Sequence, residues 1–120
     1  MDYDENNIFA RILRGELPCE KLYEDEFALA FPDINPQAPC HVLVIPKGKY
    51  ISMADFGAQA SPEEITGFFR AVSLVAKRLG VEESGYRLLA NAGPDSMQQV
   101  PHFHVHIIGG KRLGHLLAPP

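Results

Sequence analysis

An α+β fold, built as an antiparallel sheet of about five strands with two helices, is predicted by three observations on this chain of 120 residues. Short strand-like stretches outnumber helical ones. Only one long segment, 61–79, carries a full helical period together with its caps. Most connections between the strand-like stretches are short enough to join antiparallel neighbours. The length is that of one domain, which needs neither disulfides nor a structural metal to bury a core. A single domain is expected over 1–120, with 1–6 flexible and 111–120 a C-terminal tail.

The elements follow in order. Asn6 or Asn7 caps a short helix over 8–14, whose apolar residues Ile8, Phe9, Ile12 and Leu13 form one face and which Gly15 stops. Residues 21–24 and 27–31 read as two strands around an acidic turn, with Phe27, Leu29 and Phe31 on one face and Ala28 and Ala30 on the other. The loop 32–39 holds three prolines, which stiffen it and keep it out of helix and sheet. Residues 41–46 form a nearly continuous apolar run, as a central strand does, and Pro46 ends it. Ser61, Pro62 and Glu64 make a complete capping box, and Ile65, Phe68, Phe69, Val72, Val75, Ala76 and Leu79 then follow the helical period up to Gly80. Residues 86–91 are a further strand, and the turn-rich 92–101 leads into the last one.

Composition narrows the function. A net charge of -4 leaves no basic stripe for a nucleic-acid backbone, so no polynucleotide partner is expected. No apolar run is long enough to span a membrane, and the acidic, polar start lacks the features of a secretory signal. The two cysteines, Cys19 and Cys40, are too few for a disulfide framework; they fit a reducing cytoplasm and should pack as small apolar residues.

The chemistry gathers in the run 102–108, which carries three of the five histidines at alternate positions. In an extended chain His102, His104 and His106 share one face, and Phe103, Val105 and Ile107 share the other. One face reads as core and the other as a row of imidazoles. The spacing alone suits a zinc site, phosphate or acyl chemistry, or a merely polar strand face. His41, opening the central strand, is placed by this topology to sit beside the row.

The run His102-Phe103-His104-Val105-His106-Ile107-Ile108 resembles the His-φ-His-φ-His-φ-φ signature (φ apolar) of the histidine triad superfamily of nucleotide hydrolases and transferases. The blocks at 8–18, 31–39 and 41–47, with Gly109-Gly110 after the triad, are similar to those of its Hint branch, the histidine triad nucleotide-binding proteins. The resemblance runs from about Asn7 to Pro119. It implies a HIT-like fold and a homodimeric enzyme that binds a purine nucleoside monophosphate or phosphoramidate. Such an enzyme cleaves the bond from phosphorus to the leaving group through a nucleotidyl-histidine. By resemblance His104 is the nucleophile, His106 contacts the phosphate, and His102 with His41 supports the site. Asp33 matches the ribose-binding acid, Ile34 flanks the base, and Asn91 and Gln98 lie on the phosphate side.

The chain departs from that pattern at two loop positions. Gln99 stands where the branch commonly has a serine that passes a proton to the leaving group, which an amide cannot do, and Met97 replaces a glycine. Related bacterial proteins often bind zinc through a Cys-x-x-Cys pair and the histidines matching His41 and His102. Here the cysteine positions are Asn7 and Ala10, so two ligands remain, short of a closed zinc site. No metal or other cofactor is expected. His115, in the tail, reads as structural or solvated. The alternatives to a phosphoramidase are a dinucleoside polyphosphate hydrolase of the same superfamily, a nucleotide-binding interaction protein with incidental catalysis, and a metal-binding module.

Overall fold

The computed structural model describes residues 2–116; the last residues of the expected tail, 117–120, lie outside the described residues. Among those described, five strands form one antiparallel sheet in the order β1-β2-β3-β5-β4. They are β1 (Tyr23–Glu24), β2 (Ala28–Pro32), β3 (Cys40–Pro46), β4 (Tyr86–Leu89) and β5 (Val105–Gly109). The apolar run at 41–46 takes the central position, with β2 and β5 as its neighbours.

Three α-helices accompany the sheet: α1 (Ile8–Leu13), α2 (Met53–Gln59) and α3 (Pro62–Arg78). The expectation of two is corrected by α2, whose capping box is Ser52 with Asp55. The Asp55 carboxylate accepts from the N–H groups of Ile51 and Ser52, both at 2.7 Å, holding donors that the first turn leaves without helical partners. Ser52-x-x-Asp55 was legible as a start signal, but the helix behind it is too short to show a period. The other caps are as expected: Asn7 Oδ1 accepts from the Ala10 N–H at 2.9 Å, and Ser61 and Glu64 close the box on α3. Gly15 and Gly80 take left-handed conformations just past their helices.

α3 covers one sheet face. Its Phe68, Ala71, Val72, Val75 and Ala76 pack with Ala28, Ala30, Val42, Val44, Phe103, Val105 and Ile107. Small alanines on β2 let the helix come close. The opposite face buries Leu29, Phe31, Leu43 and Ile45 under Phe9 of α1. The predicted alternation therefore holds: Phe103, Val105 and Ile107 belong to the α3 layer, and the histidines face the α1 layer.

One detail of the last strand differs from the sequence reading. The last strand begins at Val105, not His102, because the Phe103 N–H is spent on the Tyr50 carbonyl at 2.7 Å and not on the ladder. Within residues 2–6, the Tyr3 hydroxyl bonds the His102 ring and the Asp4 carbonyl accepts from the Asn7 amide. Met97 keeps a left-handed backbone, φ 62°, where a glycine would sit without cost.

Candidate active site

His41 and His106 meet because β3 and β5 pair in a register that sets Leu43 opposite His106 and His41 opposite Ile108. The two histidines are diagonal neighbours on one face, within reach of each other. Their rings lie with His41 Nε2 2.9 Å from His106 Nδ1. The proline-stiffened loop brings two further groups. The Gln37 N–H donates to His41 Nδ1 at 2.9 Å, and the Asp33 carboxylate stands 3.4 Å from His41 Nε2. Asp33 is itself held, its N–H on the His41 carbonyl and its Oδ1 accepting from Asn35.

These contacts decide the tautomers in sequence. Because His41 Nδ1 accepts from Gln37, its proton is on Nε2, which donates to His106 Nδ1. His106 is thereby left with its proton on Nε2, a buried donor that has no hydrogen-bond partner among the described residues. His104 is set the opposite way. Its Nδ1–H donates to the His102 carbonyl at 2.7 Å, so Nε2 presents a lone pair. A neutral imidazole with a free Nε2 is the nucleophilic form. An unpaired N–H close by is an electrophilic partner for oxygen.

Burial keeps all three rings of the row neutral. It pushes His104 below the ordinary histidine value, and it lowers His106 to about 4, helped by the neighbouring His104 and His41 and opposed by Asp33. His102 is also lowered to about 4, by burial first. Its ring is fully enclosed and both nitrogens are engaged, Nε2–H on the Pro46 carbonyl and Nδ1 with the Tyr3 hydroxyl. His102 therefore faces the site only through its carbonyl, and it has no nitrogen free for a metal. Asn7, at one of the cysteine positions of the zinc-binding pattern, is occupied as the α1 cap.

A cavity of about 450 Å³ opens over the row, lined by the polar groups of Asp33, Gln99, His104 and His106 and by the apolar side chains of Ile8, Phe9, Ile12, Phe31 and Val100. Its volume is in the range of small-molecule sites, apolar with a few convergent polar groups. Ile34, Cys19, Glu20 and Asn35 complete much of the rim. Asn91 does not line it. Gln98 does not either, because its side chain is consumed elsewhere: Oε1 accepts from the Gly93 N–H, and Nε2 donates to the Val100 carbonyl and to the remote Ile51 carbonyl. Gln98 thus holds the stretch that carries Gln99. The sequence reading missed Ile8, Phe9 and Ile12 as cavity residues. Their apolar pattern looks the same whether α1 covers sheet or ligand, and only the fold shows the difference, in that Ile8 stays 53% exposed.

Asp33, His41 and His106 offer ligand atoms within 4.8 Å of one another, so this group could hold a cation. A cation there would have to displace the hydrogen bond between the two rings.

Comparison with known proteins gives the family of the chain. A family model described as the HIT domain matches residues 14–113. An uncharacterised 13.2 kDa HIT-like protein of Azospirillum brasilense is 60% identical, covering 96% of this chain and 94% of that one. The purine nucleoside phosphoramidase of Escherichia coli strain K12 is 37% identical, with 95% of each chain covered. Among solved structures, a HIT family hydrolase from Clostridium thermocellum superposes with a TM-score of 0.86 at 39% identity, covering 95% of this chain and 99% of that one.

Proposed function

Because this chain belongs to the HIT domain family, we propose that it is a purine nucleotide-binding hydrolase that cleaves nucleoside 5'-phosphoramidates or related adenylated compounds through a nucleotidyl-histidine. The observation that carries the reading is the pair of opposed tautomers: His104 with its Nε2 lone pair free, and His106 with its Nε2–H unpartnered beside it. The similarity to a purine nucleoside phosphoramidase supports the choice of substrate class.

In this mechanism the apolar side chains of the cavity take the base, beside Ile34, and the Asp33 carboxylate accepts from the ribose hydroxyls. His104 Nε2 attacks phosphorus, a P–N bond to the histidine forms, and the P–N bond to the leaving amine breaks. The amine departs with a proton from solvent, since the Gln99 amide donates a hydrogen bond without giving up a proton. Through its Nε2–H, His106 holds a non-bridging oxygen as charge builds there. Water then attacks phosphorus, the bond to His104 breaks, and nucleoside monophosphate leaves with the imidazole regenerated. His41 acts by fixing the tautomer of His106, and His102 by supplying the carbonyl for His104.

Rapid quench of the protein with adenosine phosphoramidate, followed by mass spectrometry, should find an AMP adduct on His104. His104→Ala should lower kcat/KM by at least about 10³-fold while AMP still binds. A variant that turns over at the wild-type rate would sink the proposal. Tight AMP binding without turnover of any phosphoramidate or diadenosine polyphosphate would favour a binding protein, a reading motivated by Gln99.

A further inference from the structure

The carbonyl that sets the tautomer of His104 belongs to His102, and the peptide unit that carries it is held from several sides. On that unit the Phe103 N–H donates to the Tyr50 carbonyl at 2.7 Å, while the His102 carbonyl accepts from His104 at 2.7 Å. The His102 ring is pinned at Nε2 by the Pro46 carbonyl at 2.9 Å. Because Nε2 donates there, Nδ1 is an acceptor, and the only donor to it among the described residues is the Tyr3 hydroxyl at 2.6 Å. Tyr3 lies 99 residues away in the chain. It reaches the ring because the leader turns back at Asn7, whose side-chain amide and N–H both donate to the Asp4 carbonyl.

We propose that Tyr3 is a positioning residue for His104: by satisfying Nδ1 of the buried His102 ring it holds the His102 carbonyl where that carbonyl receives the His104 Nδ1 proton. The inference rests on the reading of His104 as the nucleophile. Without the hydroxyl, His102 has a bare acceptor in an enclosed site, which is costly to leave unpaired. The ring relieves it by turning, and because it is fully enclosed and pinned by the Pro46 carbonyl, part of that turn is taken up by the His102 backbone, whose carbonyl shifts with it. Phe9 stands edge-on to both His102 and His104, with ring centroids 6.3 and 5.1 Å away, so the two rings share one wall and a shift of the first is felt by the second.

The test is Tyr3→Phe, which removes one oxygen and keeps the aromatic ring, read by the ¹⁵N ring shifts of His104 and by steady-state kinetics. The wild type should show a single His104 tautomer with Nδ1 protonated, and Tyr3→Phe a mixture of the two tautomers. On a phosphoramidate, kcat should fall about ten-fold while KM and the AMP dissociation constant stay within about two-fold, because the groups that bind the nucleotide are untouched. An unchanged His104 signature in Tyr3→Phe overturns the inference, whatever the rate does. If the wild type turns over none of the substrates tried, the proposed function fails, and the tautomer signature alone still decides the role of Tyr3.

Discussion

At the scale of single residues, the site is a matter of which nitrogen of each imidazole is occupied. His41 is committed by the Gln37 N–H, His106 by His41, and His104 by the His102 carbonyl. In the proposed mechanism this separates roles that look equivalent in a row of alternating histidines into a nucleophile, an oxygen-binding donor and their supports. If His41 acts only through His106, the two should not be additive. His106→Ala should lower kcat about 10²-fold, as the loss of one preorganised donor does. His41→Ala should cost about ten-fold, and the double variant no more than His106→Ala alone. A double variant whose loss equals the product of the single losses would show that His41 has its own contact with the substrate.

At the scale of elements, strands and caps were readable where the signal is local. The Ser61 box, the Asn7 cap and the apolar β3 run each depend on residues within a few positions of one another, and each is found. What failed were extents: β1 is two residues long and β4 stops at Leu89, because pairing partners decide where a strand ends and they are remote in sequence. Gly67, inside α3, shows the same limit. By propensity alone Gly67→Ala should stabilise a helix interior by about 1 kcal/mol. Here an added Cβ would overlap the Phe27 ring, and overpacking typically costs about 1–3 kcal/mol. The net expectation is a loss of about 1 kcal/mol, seen in chemical denaturation as a lower midpoint at unchanged slope. A stabilised Gly67→Ala would mean that Phe27 moves aside freely.

At the scale of the whole molecule, three buried neutral imidazoles make stability depend on pH. The unfolded chain takes up protons as pH falls through the ordinary value of 6.5, whereas folded His102 and His106 do so only at about 4. The unfolded state therefore binds more protons across that window, and stability is complete above it and lost progressively as pH drops from about 6.5 toward 4. Glu64, held below its usual 4.5 chiefly by the Ser61 N–H and the Tyr50 hydroxyl, adds loss in the same direction only at lower pH. Thermal unfolding between pH 8 and 5 isolates the histidines: the Tm should be level down to about 6.5 and then fall. A Tm that holds steady down to pH 5 would mean that these rings take up protons in the folded state as readily as in the unfolded one.

The sheet also ends in two edges, β1 and β4. β4 exposes Tyr86 and Leu88, and Phe69 of α3 is also open to solvent. An open edge beside apolar side chains is what a second copy covers, and with the family resemblance it supports a homodimer as part of the proposed function. Light scattering after size-exclusion chromatography at micromolar protein should give twice the 13.3 kDa chain mass; a monomer mass would count against it.

By itself the amino-acid sequence determined the two faces of the last strand, the principal caps, the stiff loop carrying Asp33 and the resemblance that singles out His104. These are encoded by period and by short-range chemistry, which need no knowledge of distant partners. Only the tertiary structure decided the register of β3 on β5, the tautomer of each ring, the anchoring of Gln98 on the Ile51 carbonyl, and the reach of Tyr3 to His102. Each depends on a donor or acceptor supplied from elsewhere in the fold, and an imidazole cannot show which nitrogen keeps its proton until that neighbour is in place.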